Sequence, residues 1–380
     1  MSKLRKAYIS MKDTVESLHR SYNYRQSISS AHDRLKDFPQ PELTPEEIAE
    51  IDLFWKQFGI RFKDYSWFQM FYGMTGIKSP MYIPQEFYLN MVLPYYNNSR
   101  VVDAYKDKNA FELFVPKKFL PATVMKRING DFYDPDGGYI TNDVNSQKLI
   151  DCLSAENEVI VKNAMDSGRG QNVRKYSIKS PQDAAEILKA WTARDYVVQK
   201  GIKQHPFFAQ FNKSSVNIIR VNTWYHEGRV EVSTPVLRFG MPGYATDVCY
   251  IDGKETVNLI GVTDDGYLRD KVVDLRGEVK DLNAVFPNIN REVPSWQKIV
   301  AMISEGASRL KQTHIIGWDV TVTEEGEPKV IEYNILVPST YSSQVTDGPM
   351  WGQHTEALLA FLKDKKNQEK YIPKKFRSNR

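Results

Sequence analysis

The sequence predicts an α+β fold led by a helical lobe, on three observations. The first hundred residues carry helix caps and helical apolar spacing. From Val101 onward the texture turns to short β-branched runs broken by turn signals. Strand-like and helix-like segments then alternate to about residue 362 without a fixed-period repeat. At 380 residues, with 41% hydrophobic and 12% aromatic content, the chain has enough apolar material for more than one packed unit.

The helical lobe is assigned to residues 1–100. Lys3 to about Ser27 is amphipathic and charged. Thr44-Pro45-Glu46-Glu47 offers a cap, a first-turn proline and a capping-box glutamate ahead of an apolar-periodic run to Phe58. Aromatic residues crowd between Trp67 and Tyr96, with Pro84 opening a further helix and Pro94 near its end. They read as lobe-packing core, with Phe68, Phe71 and Tyr72 as a substrate-pocket alternative.

In the α+β body, Glu158–Lys162, Asp195–Gln199, Ser215–Trp224, Arg229–Phe239 and Ile315–Asn334 read as strands. Ser180-Pro181-Gln182-Asp183 caps a helix to Trp191, and further helices run from Ser295 to Lys311 and from Gln353 to Lys363. The expected divisions are 101–194 and 195–362, followed by a tail, 363–380. That tail holds eight Lys/Arg against two Asp/Glu, a charge of +6. Since the whole chain carries +4, the rest stands at −2, and a basic nucleic-acid face is not expected; the tail reads as solvated or partner-touching. Two cysteines make no disulfide framework or thiolate cluster, six histidines show no ligand spacing, and no long apolar run suggests a membrane span. A cytoplasmic setting is expected.

The strongest chemical signal is the stretch Gly317-Trp318-Asp319-Val320-Thr321-Val322-Thr323, a four-residue loop Glu324–Glu327, and Pro328-Lys329-Val330-Ile331-Glu332-Tyr333-Asn334. As a hairpin with Thr323 facing Pro328, it sets Asp319 opposite Glu332 and puts both on one face with Asn334. Val320, Val322 and Ile331 are expected on the other, buried face. Opposed carboxylates repel and call for a cation or a proton; two carboxylates and an amide are hard ligands suited to magnesium and nucleotide phosphates. A solvated edge hairpin is the alternative.

Upstream, Val159-Ile160-Val161-Lys162 ends a strand in a lysine ahead of the small-residue loop Asn163 to Gln171, where backbone N–H groups can wrap phosphate; a plain surface hairpin explains the loop equally well. Tyr196–Ile202 is an apolar strand entering a linker, fit for an adenine edge or simply buried. Arg220 and Arg238 lie in β-branched strands, where a guanidinium needs phosphate, carboxylate or an internal acid.

In this order, from lysine through glycine loop, hinge strand and strand arginines to Asp and then Glu-x-Asn, the chain resembles the ATP-grasp superfamily. The Gly317–Asn334 hairpin, Gln204-His205-Pro206 and Asn217-Ile218-Ile219-Arg220 look most like its sugar-transfer-associated branch, over about Thr44 to Leu362. The resemblance implies two α+β subdomains clasping ATP. It makes Lys108 and Lys162 the nucleotide lysines, Ser167, Gly168 and Gly170 the lid, and Gln199, Lys200 and Ile202 the adenine pocket. Asp319, Glu332 and Asn334 would hold two Mg2+ ions, with Mn2+ the alternative, while Arg220 and Arg238 steady the transferred phosphoryl and an acyl-phosphate.

The implied activity is a ligase joining a carboxylate to an amine or related nucleophile through an acyl-phosphate, acting on small-molecule or glycan-linked substrates in polysaccharide or surface-glycan modification or other secondary biosynthesis. A kinase of a sugar or small metabolite and a non-catalytic binder are the rivals. Oligomeric state is left open. Gln199, where many ATP-grasp hinges carry an acid, and Cys249, where a polar residue is expected, depart from the pattern.

Overall fold

The computed structural model describes residues 11, 22–165, 172–244, 246–251, 253–336 and 338–378. Ser167, Gly168 and Gly170, the expected lid, lie outside them.

The smaller of two main sheets is antiparallel throughout. It comprises β1 (Thr123–Ile128), β2 (Asp131–Tyr133), β3 (Tyr139–Thr141), β4 (Glu158–Asn163), β5 (Val173–Ser177) and β6 (Tyr196–Lys200), in the order β3-β2-β1-β6-β4-β5. Helices Gln147–Ser154 and Pro181–Ala190 bury Leu149, Leu153, Ile187 and Leu188 against Met125, Val159 and Val161. The second helix starts as its sequence dictates: Ser180 and Asp183 form a complete capping box around Pro181.

β6 corrects the expected division at residue 195. It runs between β1 and β4 at the centre of the small sheet, with Tyr196, Val197 and Val198 all buried, and the chain crosses to the large sheet only afterwards. An uninterrupted apolar run suits a strand flanked on both sides. The stretch expected to open the first subdomain at residue 101 also lies elsewhere: Val102, Phe111, Val115 and Leu120 pack into the large sheet's core.

The large sheet contains β7 (Ile218–His226), β8 (Arg229–Val232), β9 (Val236–Phe239), β12 (Asn258–Val262), β13 (Leu268–Asp274), β14 (Val279–Asp281), β15 (Ile315–Val322) and β16 (Pro328–Asn334). Its order is β14-β13-β12-β9-β7-β15-β16, with β8 paired to β7. β10 (Cys249–Ile251) and β11 (Lys254–Thr256) form a separate two-stranded arm. The run expected as one strand from Arg229 to Phe239 is two, β8 and β9, with Pro235 between them; proline supplies no ladder N–H.

Alternation along these strands sends side chains to two different cores. Ile219, Val221, Leu237, Ile316, Trp318 and Val320 face helix Trp296–Arg309, whose Ile299, Met302 and Ile303 cover them. Trp224, Val236, Leu259, Val273 and Ile315 face the helical lobe and helix Tyr341–Asp347.

In the lobe, Thr44 accepts from the Glu47 N–H while the Glu47 carboxylate accepts from the Thr44 N–H, fixing the start of helix Pro45–Lys56. Trp67, Phe68, Phe71, Tyr72, Tyr82, Phe87 and Tyr88 are buried together, which makes the aromatic stretch core rather than pocket.

The basic end of the chain is also corrected. Helix Lys365–Tyr371 and the turn after it bury Tyr371, Ile372 and Phe376 in the lobe, the Phe376 ring lying 5.0 Å from Tyr24 and 5.3 Å from Phe87. A charge count over this segment hides three apolar side chains that insert while the lysines stay outside.

Candidate functional site

Between the two sheets lies a cleft of about 170 Å³. Ile160, Lys162, Val173, Gln199 and Lys200 line it from the small sheet, Ile218, Asp319, Ile331 and Glu332 from the large one, and Lys108, Pro121, Ile202, Val216, Thr246 and Asp247 from the connections. Seven of the residues singled out from sequence therefore meet in one place: Lys108, Lys162, Gln199, Lys200, Ile202, Asp319 and Glu332.

The large-sheet wall follows from strand register. Arg220 on β7 lies opposite Asp319 on β15, and Asp319 lies opposite Glu332 on β16. This makes a row across three strands on the face that also carries Trp224 and Ile315. Farther along, that face is sealed by the helical lobe; at this row it opens to the cleft.

The expected opposition of Asp319 and Glu332 is present, but the hairpin reaches it by another route. Val322, not Thr323, pairs with Pro328, and a bulge in β16 between Val330 and Glu332 takes up the offset. The bulge also corrects the assignment of Ile331: it lines the cleft beside Glu332, whereas Val320 and Val322 lie in the opposite core as expected.

Both carboxylates have basic partners within the chain. The Arg220 guanidinium donates through Nη2 to Asp319 Oδ2 at 2.7 Å and through Nε to Oδ1. Burial works against the Arg220 charge, yet contact with Asp319 outweighs it and holds the guanidinium above its ordinary pKa. Lys108 Nζ lies 3.0 Å from Glu332 Oε1, and its backbone N–H donates to Ala164 O. Asn334 Nδ2 donates to Asp319 Oδ2 at 3.3 Å.

Lys162, at the end of β4, is 8% exposed; its backbone pairs with Val173 and Val197, and its ammonium has no hydrogen-bond acceptor among the described residues. Burial pulls its ammonium down to about 8, with Glu332 opposing the shift and Lys108 adding to it. Three cations, Lys108, Lys162 and Arg220, thus surround two carboxylates, leaving an excess of one positive charge at this end of the cleft.

Arg238, on β9, is not in the row. Its guanidinium donates to Asp247 Oδ2 at 2.9 Å and ties the 240–247 turn to the sheet; Thr246 and Asp247 on that turn reach the cleft. Cys249 lies beyond them, buried in the arm, its Sγ–H donating to Thr256 O. At the other end, Ile160, Ile202, Val216 and Ile218 give apolar walls. Lys200 turns its ammonium to Glu156, 2.7 Å away, so it borders the cleft mainly by its backbone and stem.

The crossover is braced by the two motifs noted in sequence. Gln204 Nε2 donates to Asn212 O and Ser215 O, and its Oε1 accepts from the Asn217 N–H. Asn217 Nδ2 donates to Asn212 O and Phe208 O. These amides shape the turn that delivers β7 and Arg220 to the cleft.

The sugar-transfer associated ATP-grasp family model matches residues 94–357, more than half of the chain. The chain belongs to the sugar-transfer associated ATP-grasp family. Its two antiparallel sheets and intervening cleft are the ATP-grasp architecture with a helical lobe added.

No curated protein matches the chain. Among solved structures it is similar to D-alanyl-alanine synthetase A from Vibrio cholerae, at 13% identity and a TM-score of 0.40 over 69% of this chain and 65% of that one. It is also similar to the ATP-grasp ligase PsnB complexed with minimal precursor, at 15% identity and 0.38 over 70% and 63%. VanG D-Ala:D-Ser ligase from Enterococcus faecalis gives 12% and 0.40 over 68% and 61%. The chain spans less than two thirds of the length of each of these structures.

Residues missed from sequence include Pro121, Ile160, Val173 and Val216 as walls and Thr246 as a rim residue. Isolated apolar residues near strand ends carry no signal that separates a ligand wall from core. Among the described residues no three His, Cys, Asp or Glu side chains cluster as a ready-made metal site. A hard divalent cation held by one or two carboxylates, an amide oxygen, phosphates and water needs no such cluster, so Asp319, Glu332 and Asn334 fit one. Among the described residues no helix is long and apolar enough to cross a membrane.

Proposed function

We propose that this ATP-grasp protein is an ATP-dependent ligase that joins a carboxylate to an amine. The observation that carries the reading is the Arg220–Asp319–Glu332 row, set at one end of an apolar-walled cleft and faced by Lys108 and Lys162. An adenine fits between Ile160, Ile202, Val216 and Ile218, with Gln199 and Lys200 at its edge; the triphosphate then runs towards the lysines and the carboxylates. Ser167, Gly168 and Gly170 are assigned to the covering loop on the sequence resemblance alone.

Asp319, Glu332 and Asn334 would hold Mg2+, two ions in this reading, with Mn2+ able to substitute; the metal neutralises charge on the phosphoryl oxygens. Lys108 and Lys162 bind the phosphates. Arg220 supplies a fixed planar cation beside the transferred group, and Arg238, through Asp247, holds the rim against which the acyl group lies.

A substrate carboxylate oxygen attacks the γ-phosphorus as the bond to ADP breaks, giving an acyl-phosphate. The amine nitrogen then attacks the acyl carbon, the C–N bond forms, inorganic phosphate leaves, and the amine proton passes to solvent. Positioning and electrostatics suffice, and no protein nucleophile takes part. Either reactant is small or glycan-linked; the family's association with sugar transfer supports the second.

The test is ADP formation with a panel of carboxylates, with and without amines. Amine-dependent ADP and phosphate release supports ligation. A stable phosphorylated product without phosphate release assigns a kinase instead, and the absence of any nucleotide effect on melting temperature assigns a non-catalytic binder.

A further inference from the structure

One step along the strands from the Arg220 row lies a second row on the same face: Asn222 on β7, Gly317 on β15 and Asn334 on β16, each opposite the next. Asn222 is fully buried, and among the described residues neither its Oδ1 nor its Nδ2 has a hydrogen-bond partner. A buried amide left without partners is costly to the fold, so its presence calls for a role.

Its orientation is informative. A Cβ built on Gly317 would lie 2.9 Å from Asn222 Oδ1 and 3.0 Å from the Pro338 Cβ. Asn222 therefore leans over the space that glycine leaves, with its oxygen leading, on the side of Asn334. Neighbouring strands stand about 4.8 Å apart, so only a side chain leaning across the middle strand approaches one two strands away. Asn334 already donates one N–H to Asp319.

We infer that Asn222 is a positioning residue for Asn334: with a divalent cation and nucleotide bound, Asn222 Oδ1 accepts the second N–H of Asn334 across Gly317. Both hydrogens of the Asn334 amide are then committed within the sheet, and its carbonyl oxygen is the atom left to face the cation. Outer residues that orient a metal ligand in this way commonly govern metal affinity by 10- to 100-fold. The inference rests on the nucleotide-site reading above and does not depend on which carboxylate or amine is used.

The test compares wild type with Asn222→Leu by two measurements: melting of the protein alone, and the Mg2+ concentration giving half-maximal binding of a non-hydrolysable ATP analogue by calorimetry. Asn222→Leu is expected to raise the Mg2+ midpoint about tenfold or more. Its melting temperature should be unchanged or higher, because an unpaired buried amide has been removed. Asn222→Ala, which introduces no bulk, is expected to show the same tenfold change and serves if the leucine variant does not fold. Mg2+ midpoints within twofold of wild type in the folded variants overturn the inference alone. Failure of the wild type to bind the analogue with Mg2+ overturns the nucleotide-site reading and this inference with it.

Discussion

Arg220 and Asp319 face each other across β7 and β15, and the guanidinium holds both oxygens of the carboxylate. Each side chain is 10% exposed, so the pair is a buried ion pair lying inside the proposed metal site. Removing one partner from such a pair leaves the other charge buried and uncompensated, at a cost of about 3–5 kcal/mol. Asp319→Asn is therefore expected to lower stability in urea unfolding as well as to abolish turnover. Glu332 is 31% exposed but its partner Lys108 only 7%, so Glu332→Gln should abolish turnover and also lower stability, by less than Asp319→Asn because the carboxylate it removes is partly solvated. Equal destabilisation by the two variants would contradict this division.

Lys162 gives a pH signature. Its folded-state value of about 8 lies below its ordinary 10.5, so between these the unfolded chain holds a proton that the folded one lacks. The associated stability is complete above the unfolded value and is lost as pH falls through about 8. Phosphate favours the charged form, so nucleotide binding should take up a proton at pH 8.5, and affinity should weaken as pH rises beyond 8. Calorimetry in two buffers of different ionisation enthalpy measures the uptake, and Lys162→Met should abolish it.

The hairpin shows why the carboxylate row of the candidate site was legible in the sequence. Alternation and loop length set Asp319 against Glu332, and a cap, a proline and an acid three residues on located two helix starts. What escaped was decided by tertiary contact. The β16 bulge moves Ile331 to the cleft side, and nothing local distinguishes it from its apolar neighbours. Arg220 was open to an anion of either origin, and only register shows that Asp319 occupies it in this structure. β6 was misplaced because an apolar strand does not state which sheet it joins.

Phe376 tests the correction at the basic end. It is 3% exposed and packs on Tyr24 and Phe87, so Phe376→Ala should cost about 3–5 kcal/mol in chemical denaturation. Replacing Lys374 by Ala, on the same turn, should change stability by less than about 0.5 kcal/mol. A mere solvated tail would give no difference between the two.

Glu86 is buried in the helical lobe and does not line the cleft. It is 4% exposed, and Ser27 Oγ donates to its carboxyl at 2.8 Å. Burial pushes its pKa from 4.5 to about 7, with the Ser27 hydrogen bond working the other way. Because the folded value is raised, the folded state holds the proton more tightly. The associated stability is complete below the unfolded value of 4.5 and is lost as pH rises through about 7. A shift of this size corresponds to roughly 3 kcal/mol at alkaline pH, each pKa unit being worth about 1.36 kcal/mol. Glu86→Gln removes the ionisation and keeps an oxygen for Ser27, so it should stabilise the protein at pH 8 and flatten the dependence of melting temperature on pH between 5 and 8. The check is melting of both proteins across that range. Parallel curves would mean that Glu86 is ionised in the folded lobe throughout it, which a carboxylate this deeply buried, with no cation among the groups that shift its pKa, should not be.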